Sequence, residues 1–472
     1  MPADDLTTGS SVLPGASLED KSITDSSPRS TRDIYRSIWR MGYPSMIGFA
    51  ATNLYTLADM FWVARLGPEQ VAALTFFAAF YWAVSSFNMI AGTGSVAVIA
   101  RRFGEGDMRR TEIAIGEAFI LKFILAAMVC GFGYWLTPRI MMVLGAEGVV
   151  LRDAVTYGRI LFFGMIFNFP AWTVYTALRG IGQPRAAMIL MIGSTVFNAI
   201  LDPFLIFGLW GLPRLEVAGA AWASVIGFGL TVTIGLILFF AGAFKARLSL
   251  SVLRQAHIST MWQMMKIGIP SGIGAMSFSL ARMAVLPLIA RFGPAVVAVY
   301  GAGNRVIEFG EITVVGLELG MSPLIGHALG AKDKALAWLT ARRAIEMGLA
   351  IMGVFALGTF FFAEPITMLF FRESPYVELG VTFFRVAAVA FPMLAVFILI
   401  EGAFVGAGDT VPPMVIGIIH AWVLQIPLVW LLAHGLEFGP TGAWWGFVVA
   451  AALGALMYVS WFARKRWLEQ VV

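Results

Sequence analysis

The chain has 472 residues, with little cysteine or histidine and a low share of charge. Its one cysteine, Cys130, excludes an internal disulfide and a thiolate metal site. The four histidines are scattered and form no HExxH or comparable ligand spacing. Charged residues make up 13% of the sequence, against about 25% in soluble domains. In their place stand 59% hydrophobic residues and a mean hydropathy of +0.81. These values exclude an ordinary soluble domain and indicate an integral membrane protein. The net charge of +5 sits beside apolar stretches, which suits loops at a lipid surface and excludes a nucleic-acid partner.

From Arg40 onward, apolar stretches of roughly 20 residues alternate with short charged loops, each stretch long enough to cross a hydrocarbon core of about 30 Å. Twelve such spans are predicted, starting near 41, 71, 113, 156, 186, 217, 263, 297, 343, 382, 412 and 440. They fall into two copies. Pro44-Ser45, Arg65, Gly67-Pro68, Gly94, Gly104, Asp107, Thr156, Arg159, Gly180 and Gly182 recur 226 residues later as Pro270-Ser271, Arg291, Gly293-Pro294, Gly320, Gly330, Asp333, Thr382, Arg385, Gly406 and Gly408. The match resumes at a spacing of 223, with Gly219-Ala220 and Trp222 against Gly442-Ala443 and Trp445. Six spans per copy return the chain to its starting side, so the copies are parallel repeats related by a pseudo-twofold axis along the membrane normal. The fold expected is all-α and membrane-integral.

Residues 1–33 are polar and lack the apolar core of a signal peptide; they read as a disordered cytoplasmic tail. Residues 34–243 hold the first six spans, 244–262 a cytoplasmic linker and 263–466 the last six. With the N-terminus inside, the inner segments carry 22 Lys and Arg and the outer segments 8, so both termini are expected in the cytoplasm.

An ionised group within a span costs about 2.5 to 3.5 kcal/mol unless it faces the protein interior, so the acids inside the spans mark candidate sites. Asp59 in span one and Asp202 in span five each lie 18 residues past the start of an outward-running span, at Met41 and Pro184. Both are therefore about 27 Å from the inner end. Tyr55 and Asn198 each precede their aspartate by four residues, on the same helix face. Two acids with a phenol and an amide at one depth suit a proton or a sodium ion at Asp59, Asn198 and Asp202, because two carboxylates close together in low dielectric must share a proton or a cation. Simpler roles stay open: Asp202 precedes Pro203 and can cap a broken helix, and Asp59 is six residues from Arg65. Pro44 is either a static kink or a hinge.

Span eight carries Glu308, Glu311 and Glu318 on one helical face, with Arg282 in span seven and Arg305 at its own start. They form either a self-neutralising network or a site for a cationic substrate. Glu401 in span ten is more isolated, facing either a central cavity or the turn at Gly406-Ala407-Gly408-Asp409.

The run Pro44, Tyr55, Asp59, Ala64-Arg65-Leu66-Gly67-Pro68, with Arg102-x-Gly104-x-Gly106-Asp107, Arg179-Gly180-Ile181-Gly182-Gln183-Pro184 and Gly219-Ala220-Ala221-Trp222-Ala223-Ser224, resembles the multidrug and toxic compound extrusion (MATE) transporters over about 34 to 465. The resemblance implies twelve helices in two six-helix lobes forming a V. It also implies a secondary antiporter of the inner (plasma) membrane that exports lipophilic, often cationic compounds against protons or sodium, with no cofactor and as a monomer. Within the family the chain is most similar to the DinF-like and archaeal branch. That likeness assigns coupling to Tyr55, Asp59, Asn198, Asp202 and Ser224, and bending to Pro44. The acids that another bacterial branch carries in helices seven and ten are replaced by Phe278 and Leu394. Carrying Asp59 and Asp202 forward one repeat meets Val285 and Leu428, so the acid pair belongs to the first copy alone. Two rivals are a lipid-linked oligosaccharide flippase of the same superfamily and a membrane-embedded enzyme. The first calls for extra spans or a cationic cavity, and the second for acid or metal motifs such as DDxxD and HExxH that the chain lacks.

Overall fold

Backbone that crosses lipid must satisfy its own hydrogen bonds, and this chain does so entirely as helices. The structure is a computed structural model that describes residues 30–470 and 472, and among these no strand occurs. Twelve long helices follow in order: α1 (Thr31–Val63), α2 (Pro68–Gly104), α3 (Met108–Val143), α4 (Gly148–Gly180), α5 (Pro184–Phe207), α6 (Val217–Ala241), α7 (Ile258–Ala290), α8 (Pro294–Gly330), α9 (Lys334–Phe361), α10 (Ser374–Ala407), α11 (Val411–Gly435) and α12 (Gly439–Ala463). Ten of them combine the length and apolarity needed to cross a membrane; α1 and α2, the other two, are 33 and 37 residues long. The expected tail lies outside the described residues as far as position 29, while Thr31–Asp33 form the first turn of α1.

Several helices begin well before their apolar runs, α1 by ten residues, because polar side chains cap the first turns. The Asp33 carboxylate accepts the Ser30 N–H at 3.2 Å. Asp107 accepts the Arg110 N–H at 3.0 Å and Asp333 the Leu336 N–H at 2.8 Å. That duplicated aspartate is thus a helix cap in both copies.

The repeat governs packing between the halves. Helix α1 packs on α5 of its own half and on α8 of the other; α2 packs on α7 and α8. Since α1 corresponds to α7 and α2 to α8, the contacts α1–α8 and α2–α7 are one contact made twice around the pseudo-twofold axis. Duplicated glycines let the backbones meet there. A Cβ on Gly320 would lie 2.5 Å from the Gly42 nitrogen, and one on Gly94 would lie 2.6 Å from the Met264 carbonyl carbon. Gly268 meets the Ile90 backbone, Gly104 that of His327 and Gly330 that of Arg101.

The first turns of each half are exchanged. Ile34 and Ile38 of α1 are buried in the core of the second half, and Met264 and Ile267 of α7 in the core of the first. Polar ties fix both starts: Tyr35 donates to Glu346 Oε2 at 2.6 Å, and the His257 N–H donates to Glu117 Oε1 at 2.7 Å. Helix α1 therefore begins in one lobe and ends in the other. Gly42 meets Leu317 of α8, whereas Gly48 meets Met191 of α5, so the crossing falls around Pro44. The helix stays unbroken there, and Ser45 Oγ donates to the Met41 carbonyl at 3.0 Å beside the proline.

Candidate functional site

In the first lobe α1, α5 and α6 converge on a polar cluster enclosed by apolar helices. Tyr55 donates to Ser224 Oγ, and Ser224 donates to Asp59 Oδ2 at 3.4 Å. Asn198 Nδ2 donates to Asp202 Oδ1 at 3.4 Å, and the two carboxyl groups are within hydrogen-bonding reach of each other. Asp59, Asn198, Asp202 and Ser224 are all buried. The equal depth of the two acids thus becomes a direct meeting, with all five expected residues in one cluster.

Three oxygens in this cluster have no hydrogen-bond partner among the described residues: Asp59 Oδ1, Asn198 Oδ1 and Asp202 Oδ2. A buried acceptor left unpaired costs about 1 to 3 kcal/mol, more when charged, so three together make a costly arrangement that a proton or a small cation would relieve. The donor set of carboxylate, amide and hydroxyl oxygens fits either ion. Among the described residues no group of three or more His, Cys, Asp or Glu is placed to hold a metal.

The simpler roles for these acids do not hold. Arg65 lies over the Phe61 and Trp62 rings, at 4.6 and 4.8 Å, and not beside Asp59. Helix α5 continues through Pro203 to Phe207, so Asp202 caps no break. Two further tyrosines, Tyr81 of α2 and Tyr157 of α4, stand within electrostatic range of Asp59. Sequence reasoning missed both, although a phenol inside a span is itself the signal that could have found them.

The second-lobe residues divide into two groups. Glu308 is shared by Arg282 at 3.7 Å and Arg305 at 3.0 Å, and Glu311 lies within electrostatic range of Arg282. Glu318 does not join them. Seven residues beyond Glu311 it is about 10 Å further along the axis, packed against Gly402 and within range of Glu401 and of Arg179 from the first lobe. Glu401 is consequently not isolated. Lys122, a lone lysine within α3, was not singled out from the sequence; its ammonium donates to the Asn88 carbonyl at 2.8 Å and to the Asn88 side-chain oxygen, tying α3 to α2.

A family model described as MatE matches residues 44–204 and 270–431, one match in each half. The chain belongs to the MATE family. The probable multidrug resistance protein YoeA of Bacillus subtilis (strain 168) is 25% identical over 437 residues, covering 92% of this chain and 94% of that one. A FAD transporter of Shewanella oneidensis is 26% identical over 397 residues, covering 84% and 87%. A crystal structure of MATE in the straight conformation superposes with a TM-score of 0.86 at 23% identity, covering 93% of this chain and 97% of that one. This MATE chain is a multi-pass membrane protein with the twelve-helix fold.

Proposed function

We propose that this MATE protein is a secondary active antiporter of the inner membrane, both termini in the cytoplasm, that exports lipophilic and cationic small molecules in exchange for protons or sodium. It is read as a transporter and not an enzyme, acting as a monomer without a cofactor. The carrying observation is the trio of oxygens on Asp59, Asn198 and Asp202 unpartnered among the described residues, which supports reading this cluster as the coupling site. Its position supports the reading, because α1 carries Asp59 in one lobe and its own first turns in the other. An ion in the cluster alters the fit of α1 against α5 and α6, and Pro44, at the crossing, is where the helix bends in response. Such an ion drives transport because it binds the two arrangements unequally. Relatives named as a probable multidrug resistance protein, YoeA, and a multidrug export protein, MepA of Staphylococcus saprophyticus, support the reading of small-molecule export. The test is dye efflux from vesicles carrying the purified protein, under an imposed proton gradient and then a sodium gradient. Export driven by neither gradient would overturn the proposal.

Arg282, Glu308 and Arg305 act as a structural network on this reading, since one carboxylate shared by two guanidiniums offers little to a cationic cargo. Glu308→Gln is expected to lower stability by about 1 kcal/mol or less, as for other part-exposed pairs, and to leave dye export intact. The thermal midpoint and the efflux rate of the variant check this, and a selective loss of cationic dyes would reassign Glu308 to substrate binding.

A further inference from the structure

The two lobes meet closely at the end of the bundle formed by the C-termini of α2, α4 and α8, and one side chain crosses from lobe to lobe in a way the repeat does not require. His327 of α8 is 5% exposed, and its Nε2 lies 2.6 Å from the Gly180 carbonyl at the end of α4. A carbonyl oxygen only accepts, so Nε2 carries the proton and donates. The ring packs against Phe103 of α2 with centroids 5.0 Å apart, and a Cβ on Gly182 would come within 3.8 Å of its Cε1. Beneath it, the His327 backbone presses on Gly104. The ring's neighbours Phe103, Gly180 and Gly182 all belong to the first lobe; Gly182 leaves room beside the ring, and Gly104 lets the His327 backbone come close.

The counterpart of His327 one repeat earlier is Arg101, whose buried Nη1 has no hydrogen-bond partner among the described residues. The duplicated glycines therefore make the seam symmetric, while the bond from His327 to Gly180 joins side chain to backbone across it. Gly180 is the last residue of α4, and its carbonyl is one of the four that a helix terminus leaves unsatisfied. If the lobes part at this end, that carbonyl and the histidine N–H both lose their partner. Beside the ring stands Lys245, its ammonium 5.8 Å from the Phe103 ring. Arg179, next to Gly180, is within electrostatic range of Glu318 of the second lobe.

We propose that His327 is the clasp of the cytoplasmic gate: its ring, seated between Phe103 and Gly182 and bonded to Gly180, holds the lobes shut in the conformation seen, and opening to the cytoplasm withdraws it. The clasp acts on the position of the lobes and not on the cargo or the coupling ion. This rests on the alternating-access cycle proposed above, but its test needs neither a gradient nor a substrate. In a Cys130→Ser background, spin labels are placed at Met108 and Lys334, exposed and equivalent positions 226 residues apart. The distance distribution between them reads the separation of the lobes at this end. The otherwise unaltered protein is expected to give one dominant short distance. His327→Ala and His327→Leu remove the donor, and Leu keeps bulk in the socket should Ala fold poorly. Both are expected to move the closed-to-open ratio by roughly tenfold, the scale of one lost buried hydrogen bond, whereas His327→Gln, which keeps an N–H, restores the short distance. A distribution unchanged in His327→Leu overturns the clasp. Failure of dye export with the distances shifted as expected would overturn the export reading and leave the clasp standing.

Discussion

Asp59→Asn is expected to reduce gradient-driven dye export to the level of protein-free vesicles while the protein stays folded. Asparagine keeps the size of the side chain and an oxygen that accepts from Ser224, so the hydroxyl chain from Tyr55 survives. It cannot take up a proton or offer a charged ligand, so the exchange loses its driving ion. Asp202→Asn should match it, because Asp202 meets Asp59 in one buried unit. The double variant should be no worse than either single one, as for residues acting together. Efflux from vesicles under each gradient is the readout, with the thermal midpoint as the fold control. Full export by Asp59→Asn would remove the coupling site from this cluster.

Gly320→Val carries the second large effect, this time on folding. Its Cβ would lie 2.5 Å from the Gly42 nitrogen and 2.6 Å from the Gly42 Cα, and backbone cannot swing aside as a flexible side chain does. Ordinary overpacking costs about 1 to 3 kcal/mol, and a clash against main chain at a seam between lobes belongs at or above the top of that range. The variant is expected to yield little folded protein, or a thermal midpoint lower by many degrees. Gly94→Val, its counterpart one repeat earlier, should behave alike because it meets the Met264 backbone. Gly353→Ala is the control: in α9 an added Cβ there touches nothing within 4 Å, and better helix propensity makes the change neutral or favourable by about 0.5 to 1 kcal/mol. Equal stability of Gly320→Val and Gly353→Ala would mean that the seam is not the tight contact described.

The acid pair is legible in the sequence because burial of charge is costly enough to be selective. Asp59 and Asp202 stand out in spans otherwise nearly free of charge, and helical rise alone sets them at one depth. Tyr81 and Tyr157 are not legible in the same way, since a tyrosine costs a span far less and its partner is a tertiary matter. The glutamates of α8 show the limit from the other side. Helical phase places Glu308, Glu311 and Glu318 on one face, yet distance along the axis and the approach of α10 give Glu318 a different set of neighbours. Periodicity states the angle of a side chain; the neighbouring helices state what it meets.

By itself the sequence determined that the chain is a duplicated, twelve-span helical membrane protein with an acid pair in its first copy alone. Those conclusions follow from composition, span length and register, all properties of the chain taken in order. Only the tertiary structure decided that the first turns of α1 and α7 are exchanged between lobes, that the repeated glycines are backbone contacts across the seam, and that His327 reaches Gly180 147 residues away in the chain. Those facts depend on which helices lie side by side. A pattern of residues along one helix carries no record of its neighbours until packing brings them together.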